Sequence, residues 1–264
     1  MLRSTPVRRP GRAVSAAAAA ALLLFALLAA CGPSEEERTS TARAEAWAEL
    51  EEAQAALNAK RGELEQLRGQ AAAPAEGEDA EALTGRVDAL DEEIGADGEA
   101  FQQKLVNYIN EAEWELDGEM NEEQRAAFGM MSGEQMYLAH EYVVKGGDYR
   151  RAIEIVQRAQ GNDPDNPDLA ARIAEYEADR YITAERLAEV KRGMTEAEVE
   201  GVLGKPFHSY VRNFSDENVF AWFYPKDPEQ HGSGAAVGVF FNESDRKVYR
   251  TDPNAVEGKD EEEE

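Results

Sequence analysis

The stretch from Val190 to Phe207, "VKRGMTEAEVEGVLGKPF", limits what this chain can fold into more than any other. It is dense in helix-boundary signals. Thr195 suits an N-cap, Glu198 three residues later completes a capping box, and Met194 and Val199 hold the two hydrophobic-staple positions. Gly193 is placed to end a preceding helix in the left-handed conformation. Gly204 then ends the new helix and Pro206 prevents its continuation. The apolar residues Val199, Val202 and Leu203 need a surface to pack on. "VFAWFY" (Val219 to Tyr224), "AVGVFF" (Ala236 to Phe241) and "KVYR" (Lys247 to Arg250) supply one, since they are rich in β-branched and aromatic residues. Turn-rich "PKDPEQHGSG" and "NESD" separate them. The expectation is an α+β domain over residues 186–251, with helices on one face of a three-stranded antiparallel sheet.

The order Gly193-Met194-Thr195, Val199, Leu203-Gly204, Pro206, Trp222, Tyr224 and Phe240-Phe241-Asn242 resembles the BamE-like family, also called SmpA/OmlA. The resemblance spans about Arg186 to Arg250. It implies two helices packed on a three-stranded sheet. It also implies an accessory lipoprotein of outer-membrane β-barrel assembly, not an enzyme. Capping and core packing account for the matching positions, so their expected role is structural. The long segment before Arg186 departs from that minimal architecture.

The lone cysteine, Cys31, sits at the other end of the chain. "MLRSTPVRRPGR" carries four arginines and no acid, and the following "AVSAAAAAALLLFALLAAC" carries no charge. These are the basic and apolar regions of an export signal. An uncleaved membrane anchor over residues 13–30 is the alternative. However, about half of that run is alanine, and its strongly apolar part is only Leu22 to Leu28. Leu28-Ala29-Ala30-Cys31 resembles the lipobox of bacterial lipoproteins. The resemblance implies cleavage between Ala30 and Cys31, a diacylglyceryl thioether on Cys31, and an acyl chain such as palmitate on its new amino group. Each buried methylene contributes about 0.8 kcal/mol, and two anchoring signals already hold a protein stably. Residues 1–30 thus read as a lipoprotein signal peptide and 31–40 as a lipidated tether. Gly32 after the cysteine is compatible with sorting to the periplasmic face of the outer membrane. With Cys31 consumed, neither a disulfide nor a thiolate metal site is available.

Between these ends the periodicity is helical. Leu50, Leu57 and Leu64 stand seven apart with Leu67 beyond, and Leu83, Val87, Leu90 and Ile94 follow at spacings of four, three and four. A coiled-coil-like arm over 41–114 follows, either an antiparallel hairpin or a broken coiled coil that pairs with another copy through residues 41–94. Residues 132–185 resemble a tetratricopeptide repeat at Leu138, Ala139, Tyr142, Ala152, Val156, Ala159 and Pro164. The small residues would let two helices approach, with Tyr142 filling the gap between them. One residue more than the repeat pattern falls between Leu138 and Ala152, in Gly146-Gly147. A further helix is expected from Asn166-Pro167 to about Arg192, and residues 252–264 read as a disordered acidic tail.

The chain has 28 basic and 54 acidic residues, a formal charge of −26. Removing residues 1–30 takes away only arginines, so the mature balance is more acidic still. Nucleic acid is excluded as a partner on these electrostatics. Membrane affinity must come from acyl chains, not from the protein surface. His140, His208 and His231 show no spacing of a shared metal or a triad. Gly204-Lys205 lacks the upstream glycine and following Ser/Thr of a phosphate loop, and "DPDNPD" (Asp163 to Asp168) lacks the glycine and terminal Glu of a calcium loop. No cofactor, metal or catalytic residue is expected. The expectation is a non-enzymatic, lipid-anchored envelope protein that binds other envelope proteins as an adaptor in outer-membrane assembly or integrity. Its candidate surfaces are the aromatic residues near the strand loops and the face beside Tyr142 and Tyr149. The alternative is a self-associating spacer capped by the C-terminal domain.

Overall fold

The computed structural model describes residues 34–75, 77–111 and 120–259; Ala30 and Cys31 lie outside them, as does the acidic segment 260–264. Among the described residues there are eight α-helices and one four-stranded antiparallel sheet, making the protein α+β. None of these helices is long and apolar enough to cross a membrane. The chain divides into two compact units, Met1–Glu52 and Ala53–Glu264.

Helix α1 (Glu35–Ala72) begins in the first unit. Ser34 Oγ accepts from the Glu37 N–H (3.1 Å), and the Glu37 carboxylate accepts from the Ser34 N–H (2.9 Å). This is a capping box, so the helix starts inside the segment expected to be a tether up to residue 40. The Gly-Pro step before Ser34 reads as a linker and hides the cap.

In the second unit, α2 (Ala80–Glu111) and α3 (Glu122–Gly146) join the later part of α1. Lys60 of α1 bonds Glu93 (2.6 Å) and Asp97 (2.5 Å) of α2, while Arg68 reaches back to Asp91 (3.3 Å), so these two helices run antiparallel. Arg61 and Arg68 meet Glu134 and Glu141 of α3. The partners are seven residues apart on both helices, which therefore run parallel. Leu57, Leu64, Leu67, Leu83 and Ile94 are all buried. From Ala53 onward these leucines and Ile94 are thus covered within the one chain.

Helix α3 buries two stripes. Met130, Glu134 and Glu141 form one. Met136, Ala139 and Val143 form the other, which packs with Ala152, Val156 and Ala159 of α4 (Tyr149–Asn162) and with Leu169 and Tyr176 of α5 (Pro167–Asp179). The small residues lie where the repeat-like reading put them, but Leu138 and Tyr142 do not. They are 41% and 38% exposed, because the stripe facing α4 runs through Met136 and Val143. Helix α5 also stops at Asp179, not near Arg192. Thr183 accepts from the Arg186 N–H (3.3 Å) and opens a separate short helix, α6 (Ala184–Glu189). Between them the Ile182 N–H donates to Pro225 O (3.0 Å), tying the connection to the sheet.

The C-terminal domain follows the boundary signals. Helix α7 (Glu196–Leu203) carries the expected capping box: the Thr195 N–H donates to Glu198 Oε2 (2.7 Å) and the Glu198 N–H to Thr195 Oγ1 (3.3 Å). Gly193 does adopt positive φ (+92°), but α6 has already ended at Glu189. Its N–H instead donates to Val248 O (2.7 Å), and the Val248 N–H donates to Met194 O (2.8 Å), fastening the turn to the sheet.

The sheet has four strands in the order β1 (Val211–Phe214), β2 (Val219–Pro225), β3 (Ala236–Asn242), β4 (Val248–Val256), correcting the three-stranded expectation. "VRNF" gives no strand signal because Arg212, Asn213 and Phe214 are all exposed. As an edge strand, β1 buries no complete face and so need not alternate. Strand β4 likewise runs past the expected boundary at residue 251. Pro253 is accommodated where the register with β3 shifts, between the pairs Gly238↔Asp252 and Ala236↔Val256. Residues 252–256 therefore belong to the sheet and not to a tail. Lys259 also pairs with Ser233 through two backbone hydrogen bonds (2.9 and 3.0 Å).

Leu187, Val199, Leu203, Phe220, Trp222, Tyr224, Val237, Val239, Phe241 and Val248 form the core between α6, α7 and one face of the sheet. Phe241 stacks on Phe220 with ring centroids 4.8 Å apart.

A candidate binding groove between helices and sheet

The joint between the helical hairpin and the C-terminal domain rests on Gly147. It closes α3 in the left-handed conformation (φ +61°), with its N–H donating to Val143 O (2.8 Å) and the following Asp148 N–H to Tyr142 O (3.1 Å). A Cβ there would lie 2.1 Å from Lys205 O and 2.9 Å from Phe207 N. Only glycine permits both the dihedral and this backbone approach. Gly147 therefore lets the Lys205–Phe207 loop seat against the hairpin. Asp148 then starts α4, accepting from the Arg151 N–H (3.0 Å). On the opposite side Gly204 ends α7 and Pro206 is buried behind it.

Two adjoining cavities of about 450 and 430 Å³ open at this joint and share Tyr181, Tyr210, Phe223, Tyr224 and Pro225. The first also touches Tyr149, Phe207 and Leu203. The second continues across the end of the sheet to Ala236 and Val256. The aromatic walls are held from behind. The Tyr224 hydroxyl donates to Gly204 O (2.9 Å), and the Tyr210 ring meets Phe207 edge-on at 5.6 Å. The Arg180 guanidinium lies 4.4 Å from the Tyr181 ring centroid. Burial drives the Tyr149 and Tyr224 hydroxyls above the usual tyrosine range, so both stay protonated and neutral. Burial likewise raises the Glu200 carboxyl, against a smaller opposing pull from Lys205.

The charges at this groove are mostly positive: Arg150, Arg180, Lys205, Arg212 and Lys226 line it, against Asp148 and Asp179. Arg180 pairs with Glu177 (3.1 Å). Asp179 lies 4.0 Å from Arg186, and Asp148 is occupied as a helix cap. The site therefore combines aromatic walls with a cationic rim. That arrangement suits binding of an apolar or aromatic group carrying acids.

Of the residues singled out from sequence, Leu203 and Tyr224 reach the groove. Met194, Val199 and Trp222 serve the core, and Thr195 serves the cap. Tyr149 lines the groove whereas Tyr142 does not. His140, His208 and His231 sit on α3, in the turn before β1 and beside the Gly232 loop, and among the described residues no group of three His, Cys, Asp or Glu converges as a metal site. Tyr181, Phe207, Tyr210 and Phe223 are not among the residues singled out. The available signal was the interleaving of Lys205, Arg212 and Lys226 with these aromatics in an otherwise acidic chain. Compared with protein-family models, curated proteins and solved structures, the chain matches none.

Proposed function

We propose that this chain is a lipid-anchored, non-enzymatic adaptor of the cell envelope, held through Cys31 at the periplasmic face of the outer membrane and binding other envelope proteins. The observation that carries this reading is the groove, where aromatic walls and a cationic rim meet between two layers of the fold. Its two acids are engaged, Asp148 as a helix cap and Asp179 beside Arg186, and the Tyr224 hydroxyl is a protonated donor, which suits recognition better than proton transfer. The resemblance of residues 186–250 to BamE-like proteins adds a role in outer-membrane assembly or integrity as part of the same proposal. The rival spacer needs residues 41–94 to pair between copies. Burial of Leu57, Leu64, Leu83 and Ile94 within one chain supports the adaptor instead.

Two experiments test this. A photoreactive side chain in place of exposed Tyr210 should cross-link one envelope protein in intact cells, and the same group at Tyr142 should not. No envelope protein captured from Tyr210 sinks the adaptor. Cys31→Ala should release the protein from the membrane fraction, and the wild-type mature chain should begin with a lipidated Cys31. A lipid-free wild type that retains residues 1–30 removes the anchor.

A further inference from the structure

The groove carries a local charge opposite to that of the molecule around it. Five cations and two acids line the two cavities of a chain that has 28 basic and 54 acidic residues overall. Among the described residues Arg150, Lys205, Arg212 and Lys226 have no carboxylate within 4 Å; Lys226 reaches only neutral oxygens of Pro253 (3.3 Å) and Asn254 (3.1 Å). Both acids are already committed. At ~0.1 M salt the screening length is about 10 Å, so an anion in the groove responds chiefly to this rim and little to distant surface carboxylates. Low-dielectric aromatic walls strengthen that local field.

We infer that the groove takes an extended, acidic segment of a partner polypeptide in which Asp or Glu alternates with apolar or aromatic residues. An extended chain points successive side chains to opposite sides. One set can then lie on Tyr181, Tyr210 and Phe223 while the other reaches the cations. The short edge strand β1, which ends the sheet beside the groove and supplies Arg212, favours an extended ligand over a helical one. This inference rests on the adaptor reading and specifies what the adaptor recognises.

The test uses the full chain in detergent and a fluorescein-labelled peptide of alternating Glu and Phe, with an alternating Gln and Phe peptide as its neutral counterpart. Anisotropy should show the Gln peptide binding about tenfold or more weakly than the Glu peptide. Lys205→Gln and Arg212→Gln, one in each cavity, should each weaken the Glu peptide several-fold and leave the Gln peptide unchanged. Arg192→Gln, outside the groove, should change neither. Unchanged thermal unfolding of the variants guards against a folding artefact. Equal binding of the two peptides, or binding by neither, overturns the inference. Binding that appears only after removal of residues 260–264 assigns the groove to the chain's own acidic end, and this too overturns it. If Tyr210 still cross-links an envelope protein while the acidic peptide fails, the adaptor stands and its ligand is of another chemistry.

Discussion

Gly147 and Glu134 are the two residues on which most of the helical layer's geometry turns, for opposite reasons. At Gly147 a single methyl is excluded by both dihedral and distance. Gly147→Ala should therefore destabilise the protein by about 1–3 kcal/mol in urea unfolding, the range for a strained backbone position. At Glu134 a carboxylate is required because Arg61 lies against it in a bidentate pair (2.8 and 2.7 Å), with both side chains nearly buried. Removing one partner leaves an uncompensated charge, so Glu134→Ala should cost about 3–5 kcal/mol, whereas replacing both partners with apolar residues should cost far less. Glu141 gives the pH dependence. Burial pushes its carboxyl up, but hydrogen bonds from Arg68 and Lys145 outweigh that and leave it below the ordinary value of 4.5. A depressed carboxyl stabilises the fold above its unfolded pKa and loses that contribution as pH falls through the folded value. Midpoints of urea unfolding should thus be flat above the ordinary carboxylate range and drop below it, with a shallower drop in Glu141→Gln.

At the scale of elements, α7 shows what local sequence can determine. Its N-cap, capping box, staple and terminating glycine all act within a few residues of one another, so they can be read without knowing the fold. Thr195→Ala should cost about 1 kcal/mol in the same unfolding assay. Strand β1 shows the converse. Nothing in "VRNF" alternates, and it becomes a strand only because β2 offers an unpaired edge. The phase of α3 was likewise hidden. Leu138 and Ala139 are adjacent, and which of them faces α4 depends on the neighbouring helices, not on composition. Ser34 and Glu37 form a legible cap, but the preceding Gly-Pro step argues for a linker. The groove was the least legible feature. Its residues come from six separate stretches between Gly147 and Val256, so no window of sequence contains it.

At the scale of the molecule, the helical layer adds to its buried apolar residues several ion pairs between helices that local periodicity does not relate. Arg61–Glu134 and Arg68–Glu141 are both separated by 73 residues, so one sliding motion would break both together. The C-terminal domain is held by an apolar core, so acid and salt should loosen the helices before the sheet. Hydrogen exchange at low pH is the check: amides of α1 and α3 should lose protection ahead of those of β2 and β3. The groove bridges these two unlike halves, with Asp148 and Tyr149 on one wall and Phe223 and Tyr224 on the other. An occupant acts there as a keystone. Its binding energy must be surrendered before either wall can move away from the other, so saturating ligand should raise the melting temperature. It should also draw the loosening of the helices and the melting of the sheet into one transition. In the free protein the two transitions should separate, the helices loosening first while the sheet stays folded.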